Sequence, residues 1–491
     1  MVFAGSLFEL LRPFAPPPLG ALAEAPVRGI TSDSRRVGPG WVFVAIRGTQ
    51  VDGHVHVGEA FAKGALLAIV ESPTGVGFEW AVPSTRALLA QLAARWYGDP
   101  TTAFPVVGIT GTNGKTTTTF LLTQAWEALG KRTALVGTVE TRVAGEKQPS
   151  SLTTPDPLTL QSIFRRAADQ RVDGAAIEVS SIALDQHRVD GTRFACVAFT
   201  NLTRDHLDYH GTMDRYGAAK ARLFAEFGAP VAVVNADDPF LPTLRRAADP
   251  NLRLETFSLS QRDASYYVTQ WSQSADGLSA TIRSPEGEAE LRSPLIGRHN
   301  LQNLLTVIGA LCATGTPFAE AVRALERAPG APGRLERVPA PVGAGPAVFV
   351  DYAHTDDALR NVLSALRPVT RGELIVVFGC GGDRDPGKRP KMGQVATELA
   401  DVAYLTSDNP RTEDPETILD MVEAGARHER CRVHRDADRR RAIHGAIAAA
   451  GADDIVLVAG KGHETYQIVG ETKRPFDDVA VAREALLAGL D

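Results

Sequence analysis

The chain has 491 residues, 44% of them apolar, with 52 basic and 58 acidic side chains and a net charge of −6. That length suits about three domains, and the charge argues against the basic field of a nucleic-acid partner. No run reaches the ~18 apolar residues of a membrane helix, and Cys196, Cys312, Cys380 and Cys431 are too scattered for a zinc pattern or a disulfide framework.

Met1 to Leu11 form an apolar patch interrupted by Glu9, with no basic leader and no small-residue cleavage pattern. A cytoplasmic protein without membrane insertion is expected. Residues 1–98 read as a first unit. Its clearest piece, Gly29 to Ala45, sets two short strands around a turn rich in hydroxyls and arginines, Asp33-Ser-Arg-Arg36. Such a turn can donate hydrogen bonds to a diphosphate or a sugar. A solvated hairpin would use the same composition.

Residues 99–332 read as a second unit, entered through Gly98-Asp-Pro100. The run Phe104–Ile109 predicts a buried strand. Phe120, Leu121, Leu122, Ala125, Trp126 and Leu129 recur at helical spacing, and the pattern stops at Gly130. Between them lies Gly108-Ile-Thr-Gly-Thr-Asn-Gly-Lys-Thr-Thr-Thr118. A glycine-rich turn between strand and helix points backbone N–H groups at phosphate oxygens, at the positive end of the helix. Lys115 can reach terminal phosphates and the Thr116 hydroxyl can ligate Mg²⁺. The spacing is not that of the common P-loop: Gly108 comes one position too early and Gly111 two too late. Further strands are expected at Ala175–Val179, Phe194–Thr200 and Ala229–Asn235. Their alternation with helical segments implies a parallel sheet covered by helices. Residues 250 to 295 read as antiparallel hairpins.

Ligands collect beyond the carboxyl ends of strands in open α/β sheets. Two such ends here are polar, Glu178-Val-Ser-Ser181 and Thr200 to His210. Glu178 and His206 can approach a nucleotide-bound metal, although Mg²⁺ prefers oxygen ligands. Lys220, taken alone, reads as a solvent-facing lysine on a good helix.

Ala328-Pro-Gly-Ala-Pro-Gly333 marks a boundary and a predicted hinge. Residues 333–491 form a third unit, with strands expected at Ala347–Val350, Leu374–Phe378, Val402–Leu405 and Ile455–Ala459. It lacks Gly-x-Gly-x-x-Gly after its first strand, so no nicotinamide cofactor is expected. Polar loops follow its strands at Asp351–Asp356, Gly379–Pro390, Asp408–Arg411 and Gly460–Glu464. Arg389 and Arg411 suit a bidentate grip on carboxylates, and Glu464 can hold an ammonium. A site with both would bind an amino acid.

These motifs, in this order, resemble those of the Mur ligases, ATP-dependent amide-bond-forming enzymes of cell-wall precursor synthesis. The resemblance covers essentially the whole chain. It also takes in Thr153-Thr-Pro155, Ala219-Lys220, Gly297 to Asn303 and Gly333-Arg334, and it accounts for the irregular glycine spacing. Within the family the chain is most similar to ligases that add the third residue of the peptide.

The resemblance implies an α/β fold of three domains: an N-terminal UDP-binding domain, a central P-loop-type parallel-sheet ATPase domain and a C-terminal Rossmann-like domain. It implies that Gly111, Thr112, Asn113, Gly114, Lys115, Thr116 and Thr117, with Asn300, Asn303, Arg334 and Asp351, bind ATP as co-substrate. Thr116, Glu178, His206 and Lys220 would attend Mg²⁺, with Lys220 as a carbamate (N6-carboxylysine), and Lys115, Glu178, His206 and Lys220 would be catalytic. Ser34, Thr153, Thr154, Ser180 and Arg188 would contact UDP-N-acetylmuramoyl-L-alanyl-D-glutamate. Arg389, Asp408, Asn409, Pro410, Arg411, Gly460 and Glu464 would hold the incoming diamino acid.

Asp-Asn-Pro-Arg is the form that the family's diaminopimelate-adding members show. Diaminopimelate carries a distal carboxylate for Arg411; lysine and ornithine would leave that cation unpaired. Those two diamino acids, and a folylpolyglutamate synthetase-like ligase, are the alternatives. One departure is Ile182, where the family often has His after Glu-Val-Ser-Ser. Small-molecule substrates and a monomer are expected.

Overall fold

The computed structural model describes residues 3–48, 51–339, 345–427 and 429–488. They form two compact units: Met1–Tyr266 with Thr306–Ala321, and Tyr267–Leu305 with Val322–Asp491.

The first unit opens with a four-stranded sheet, Gly29–Thr31, Trp41–Val44, Leu67–Val70 and Glu79–Ala81, in that order. Every pairing in it is parallel. The hairpin alternative for residues 29–45 therefore does not hold. The chain crosses over between the two strands through a short 3₁₀ turn at Ser34–Arg36, capped by the Asp33 carboxylate. Side chains alternate across this sheet. Val42 and Val44 join Leu7, Leu10 and Leu89 on one face, and Phe43 and Ala45 join Val57 and Ala60 on the other.

The larger sheet of this unit is built around Val106–Thr110. Cys196–Phe199 lies parallel on one side and Gly174–Glu178 on the other. Val231–Asn235 and then Arg253–Ser258 extend it beyond Cys196–Phe199, both parallel. Thr133–Val136 extends it beyond Gly174–Glu178, and an antiparallel pair, Glu140–Val143 and Glu146–Pro149, closes that edge. Cys196, Val197, Ala198 and Phe199 are all fully buried, which explains why the parallel strands read as unbroken apolar runs. The carboxyl ends of the three central strands lead directly into Gly111, Val179 and Thr200.

The second unit begins with the antiparallel meander Tyr266–Ser274, Gly277–Ser284 and Gly287–Ser293. The expectation of hairpins over 250–295 therefore holds from Tyr266 onward, whereas Arg253–Ser258 runs parallel. The six-stranded sheet that follows has the order Glu336–Arg337, Ala347–Asp351, Ile455–Ala459, Leu374–Phe378, Val402–Leu405, Arg432–Arg435. Only its first pairing is antiparallel. Its faces are covered by two apolar clusters, one including Phe349, Leu363 and Met392, the other Val350, Ile443 and Ala482. Gly333, at φ +64°, packs so closely on the Gly462–His463 backbone that no Cβ fits. Gly333, the last residue of the Pro-Gly segment, thus packs on this unit's own Gly460–Glu464 loop.

Candidate active site

The strand Val106–Thr110 ends at Gly111, which has φ +151° and sits against the Thr200 hydroxyl with no room for a Cβ. Gly114, at φ +87°, opens the helix Lys115–Ala128. Only glycine takes such a conformation without strain, so these two glycines shape the turn. The turn is laced to the next strand end. Thr200 Oγ1 donates to Asn113 O at 2.6 Å, Asn113 N donates to Asn201 Oδ1 at 2.9 Å, and Thr112 N donates to Asn201 O at 2.8 Å. Thr117 follows Thr116 in the buried first helical turn.

Lys115 Nζ donates to Gly111 O and Thr112 O, both at 2.9 Å. Lys220 Nζ donates to the same Gly111 O at 2.8 Å. Lys220 is 1% exposed and lies 4.5 Å from the Tyr216 ring centroid. The solvent-facing reading of Lys220 is thus wrong. Its helix, Met213–Ala225, turns Tyr216, Lys220, Leu223 and Phe224 to the interior. Burial, and next the Lys115 charge, push the Lys220 amine well below its ordinary value.

Thr116 Oγ1 donates to Glu178 Oε2 at 3.0 Å. The fully buried Glu178 carboxylate also accepts from Thr138 N at 2.8 Å and Thr138 Oγ1 at 3.0 Å. Thr116 and Glu178 thus present oxygen donors of the hard type Mg²⁺ prefers. An unmodified Lys220 ammonium does not suit a cation site. His206 has φ +51° and a side chain 43% exposed, with Asp205 Oδ2 3.5 Å from its Nε2. It faces the Tyr216 ring, 6.1 Å between centroids.

Three of the residues expected to hold the muramyl dipeptide converge. Thr154 Oγ1 donates to Glu178 O at 2.8 Å and accepts from Ser180 N at 3.1 Å. Arg188 Nη1 donates to Thr154 O at 2.9 Å. Thr153 Oγ1 lies 3.0 Å from Thr138 Oγ1. Ser34 stands apart from this group, donating to Glu59 Oε2 at 3.0 Å. Beside it, Arg35 holds the Asp33 carboxyl down at about 2.

In the second unit, Asn300 Nδ2 donates to Ile296 O at 2.9 Å, and Asn303 Nδ2 to Asn300 Oδ1 at 3.2 Å. Asp351 accepts from Leu335 N at 2.7 Å and Ala353 N at 2.8 Å. Burial raises its carboxyl against the lowering pull of Arg334. The Arg334 guanidinium lies 4.8 Å from the Tyr352 ring centroid.

The loops after Val402–Leu405 and Ile455–Ala459 are tied together through Asn409 and Glu464. Asn409 Nδ2 donates to Glu464 Oε2 at 3.0 Å, while its Oδ1 accepts from Ile468 N at 2.9 Å. The fully buried Lys461 donates to both Asn409 Oδ1 and Glu464 Oε2 at 3.1 Å. Gly460, at φ +116°, lets the buried Asp408 carboxylate approach the backbone. Behind these loops lies a wholly buried pair, Arg439 and Asp478, at 2.8 and 2.6 Å. Arg439 also donates to Ser407 O and Ala459 O.

Arg389 is 1% exposed, and the carboxylate it grips is that of Glu413, through two bonds of 2.8 Å. Lys461, Arg439, Asp478 and Glu413 were absent from the expected site. Only Lys461 carried a sequence signal, as part of Gly-Lys-Gly-His-Glu.

Family models match along the chain: Mur ligase family, catalytic domain over residues 26–97, Mur ligase middle domain over 109–311, and Mur ligase, glutamate ligase domain over 333–462. The chain is 46% identical, over 94% of its length and 95% of the relative's, to UDP-N-acetylmuramoyl-L-alanyl-D-glutamate–2,6-diaminopimelate ligase of Chromobacterium violaceum. It belongs to the Mur ligase family. A second Mur ligase of that name, from Xanthomonas campestris pv. campestris, is 45% identical over 96% of both chains. A solved structure of a ligase of the same name superposes with a TM-score of 0.79 at 36% identity, covering all of both chains. The three-domain α/β architecture of the Mur ligases is therefore that of this chain. Among its described residues no helix is long and apolar enough to cross a membrane.

Proposed function

We propose that the chain is an ATP-dependent ligase that adds meso-2,6-diaminopimelate to UDP-N-acetylmuramoyl-L-alanyl-D-glutamate in peptidoglycan precursor synthesis, releasing ADP and phosphate. The observation that carries this is the cluster at one sheet edge: two lysines on the Gly111 carbonyl next to the Thr116–Glu178 pair. Diaminopimelate ligases alike over more than nine-tenths of the chain point to the substrates.

In the first step a carboxylate oxygen of the UDP-linked dipeptide attacks the γ-phosphorus of ATP. The bond from that phosphorus to the bridging oxygen breaks, and ADP leaves with the electron pair. The amine of diaminopimelate, its ammonium proton released to solvent, then attacks the acyl carbon. The tetrahedral intermediate gives up a second nitrogen proton and expels inorganic phosphate, which carries that proton away, as the amide forms. Both reactants of the first step are anions. Lys115 and the glycine-turn amides neutralise the phosphates and hold them in line.

Mg²⁺, when bound, supplies further Lewis-acid neutralisation of the phosphoryl oxygens. Thr116, Glu178 and His206 would hold it, with Lys220 after carbamylation. The depressed Lys220 supports that modification, because only the neutral amine attacks CO₂. The new N–C bond costs the amine a proton and leaves an oxygen-bearing anion.

Thr153, Thr154, Ser180, Arg188 and Ser34 would contact the UDP-sugar dipeptide, and Asn300, Asn303, Arg334 and Asp351 the nucleotide. Asp408, Asn409, Pro410, Arg411, Gly460 and Glu464 would seat the diamino acid. Domains at 1–98, 99–332 and 333–491, a monomer and a cytoplasmic location complete the proposal. The test is incorporation of diaminopimelate, lysine and ornithine by the purified chain with ATP, Mg²⁺ and the UDP-linked dipeptide. Preference for lysine or ornithine, or addition of glutamate to a folate, overturns the substrate assignment.

A further inference from the structure

Arg411 has φ +52°, in the left-handed region that a bulky side chain avoids. Surrounding structure must hold a residue there, and here it does so from two sides. On one side the hairpin Tyr466–Val469 and Thr472–Pro475 takes the backbone: Arg411 N donates to Ile468 O at 3.1 Å and Gly470 N to Arg411 O at 2.7 Å. On the other, the loop Gly381–Asp383 takes the side chain, with Arg411 Nη1 donating to Gly382 O at 2.6 Å.

The Gly381–Asp383 loop is in turn fastened to the loop that carries Arg411, Asn409–Glu413. Gly382 N donates to Asn409 O at 2.9 Å. Thr412 Oγ1 donates to Asp383 Oδ1 at 2.7 Å. Glu413 Oε1 accepts from Asp383 N at 2.5 Å and from Arg389 Nη2 at 2.8 Å. Arg389 Nη1 donates to Glu413 Oε2 at 2.8 Å, and Nη2 reaches back to Gly381 O at 3.3 Å. A substrate carboxylate at Arg389 would have to displace Glu413 and strand it. Arg389 is therefore badly placed as a ligand and well placed as a fastener.

We propose that the Arg389–Glu413 pair is a positioning device: it joins the Gly381–Asp383 loop to the Pro410–Glu413 loop, fixes where the Arg411 guanidinium is held, and thereby sets the discrimination between a diamino acid with a distal carboxylate and one without. This rests on the proposed ligase reading, with Arg411 facing the diamino acid. Neither Arg389 nor Glu413 acts on the reacting atoms. Arg389 holds the Glu413 carboxyl down at about 2, so the pair stays ionised throughout the working range.

The test uses the full chain with Glu413→Gln, and with Thr412→Val, which cuts a second bond of the same join, from a neutral hydroxyl to the Asp383 carboxylate. KM for diaminopimelate should rise about ten- to a hundredfold in Glu413→Gln, the usual effect of weakening a charge-assisted bond. KM for ATP should stay within about twofold, and the rate with lysine, which lacks the distal carboxylate, should change far less. The preference for diaminopimelate therefore collapses. Thr412→Val should move the same ratio in the same direction by a smaller factor, and it decides the matter if Glu413→Gln does not fold. An unchanged ratio in both variants, or an equal loss for diaminopimelate and lysine, overturns the proposal. If the unsubstituted chain incorporates no diaminopimelate, the ligase reading itself has failed, a result visible before any variant is made.

Discussion

Lys115 and Lys220 share an acceptor, the carbonyl oxygen of Gly111, at 2.9 and 2.8 Å. Lys115 has a second acceptor in Thr112 O, at 2.9 Å. Lys115 opens a helix beside the glycine turn, whereas Lys220 is buried among Tyr216, Leu223 and Phe224. Burial, and next the Lys115 charge, push the Lys220 amine well below its ordinary value, and the predictions at Lys220 and Glu178 start from this site.

Lys220→Ala should be nearly inactive, and small carboxylic acids should restore part of the rate by supplying the missing anion. Intact-mass measurement of the unsubstituted protein in bicarbonate should show the addition of one CO₂ on Lys220. Full activity of the variant without rescue would return Lys220 to a packing role.

The same lysine predicts a pH dependence of stability. Its folded value lies below its unfolded value near 10.5, so the unfolded chain binds more protons between the two. Stability then rises with pH across that window. In CO₂-free buffer Lys220→Met should melt above the parent at neutral pH. The gap should shrink as pH climbs toward 10.5, measured by scanning calorimetry. A gap that widens with pH would contradict a neutral buried amine.

Glu178→Gln keeps the shape of the side chain but removes a charge facing Thr116. It should fold and should need more Mg²⁺ for half-maximal ADP formation, read from a magnesium titration. Glu178→Ala should also lose stability, by about 1–3 kcal/mol for each buried donor left unpaired at Thr116 and Thr138.

Gly460→Ala places a Cβ at φ +116° against Asp408 Oδ2. KM for the diamino acid should rise while KM for the UDP-linked dipeptide, whose proposed contacts belong to the other unit, stays level. Steady-state kinetics with each substrate varied in turn checks this.

Much of the fold was legible because fully buried parallel strands must be apolar on both faces. Val106–Thr110, Gly174–Glu178, Leu374–Phe378 and Ile455–Ala459 all fall within a residue or two of the expected runs. The first unit misled because two short apolar strands around a turn look alike in sequence whether they pair parallel or antiparallel; Gly29–Thr31 and Trp41–Val44 do pair with each other, but in parallel. Lys220 was more legible than its charge suggested. Tyr216 and Phe224 lie four residues either side of it, which places all three on one helical face. Glu413 and Asp478 could not be found in this way. An acidic residue opening a helix or ending a loop reads as a solvated cap, and the arginines that claim these two are distant in sequence.

The central claim is that cationic groups at the Gly111 edge allow a carboxylate to attack ATP, and the most direct measurement is ADP and phosphate release by Lys115→Ala beside the unsubstituted chain. With ATP, Mg²⁺, the UDP-linked dipeptide and diaminopimelate, the unsubstituted chain should release phosphate in step with amide formed, and the variant should lose at least about 10²–10³-fold in rate. Near-normal turnover in Lys115→Ala, or no phosphate from the unsubstituted chain, would contradict the account.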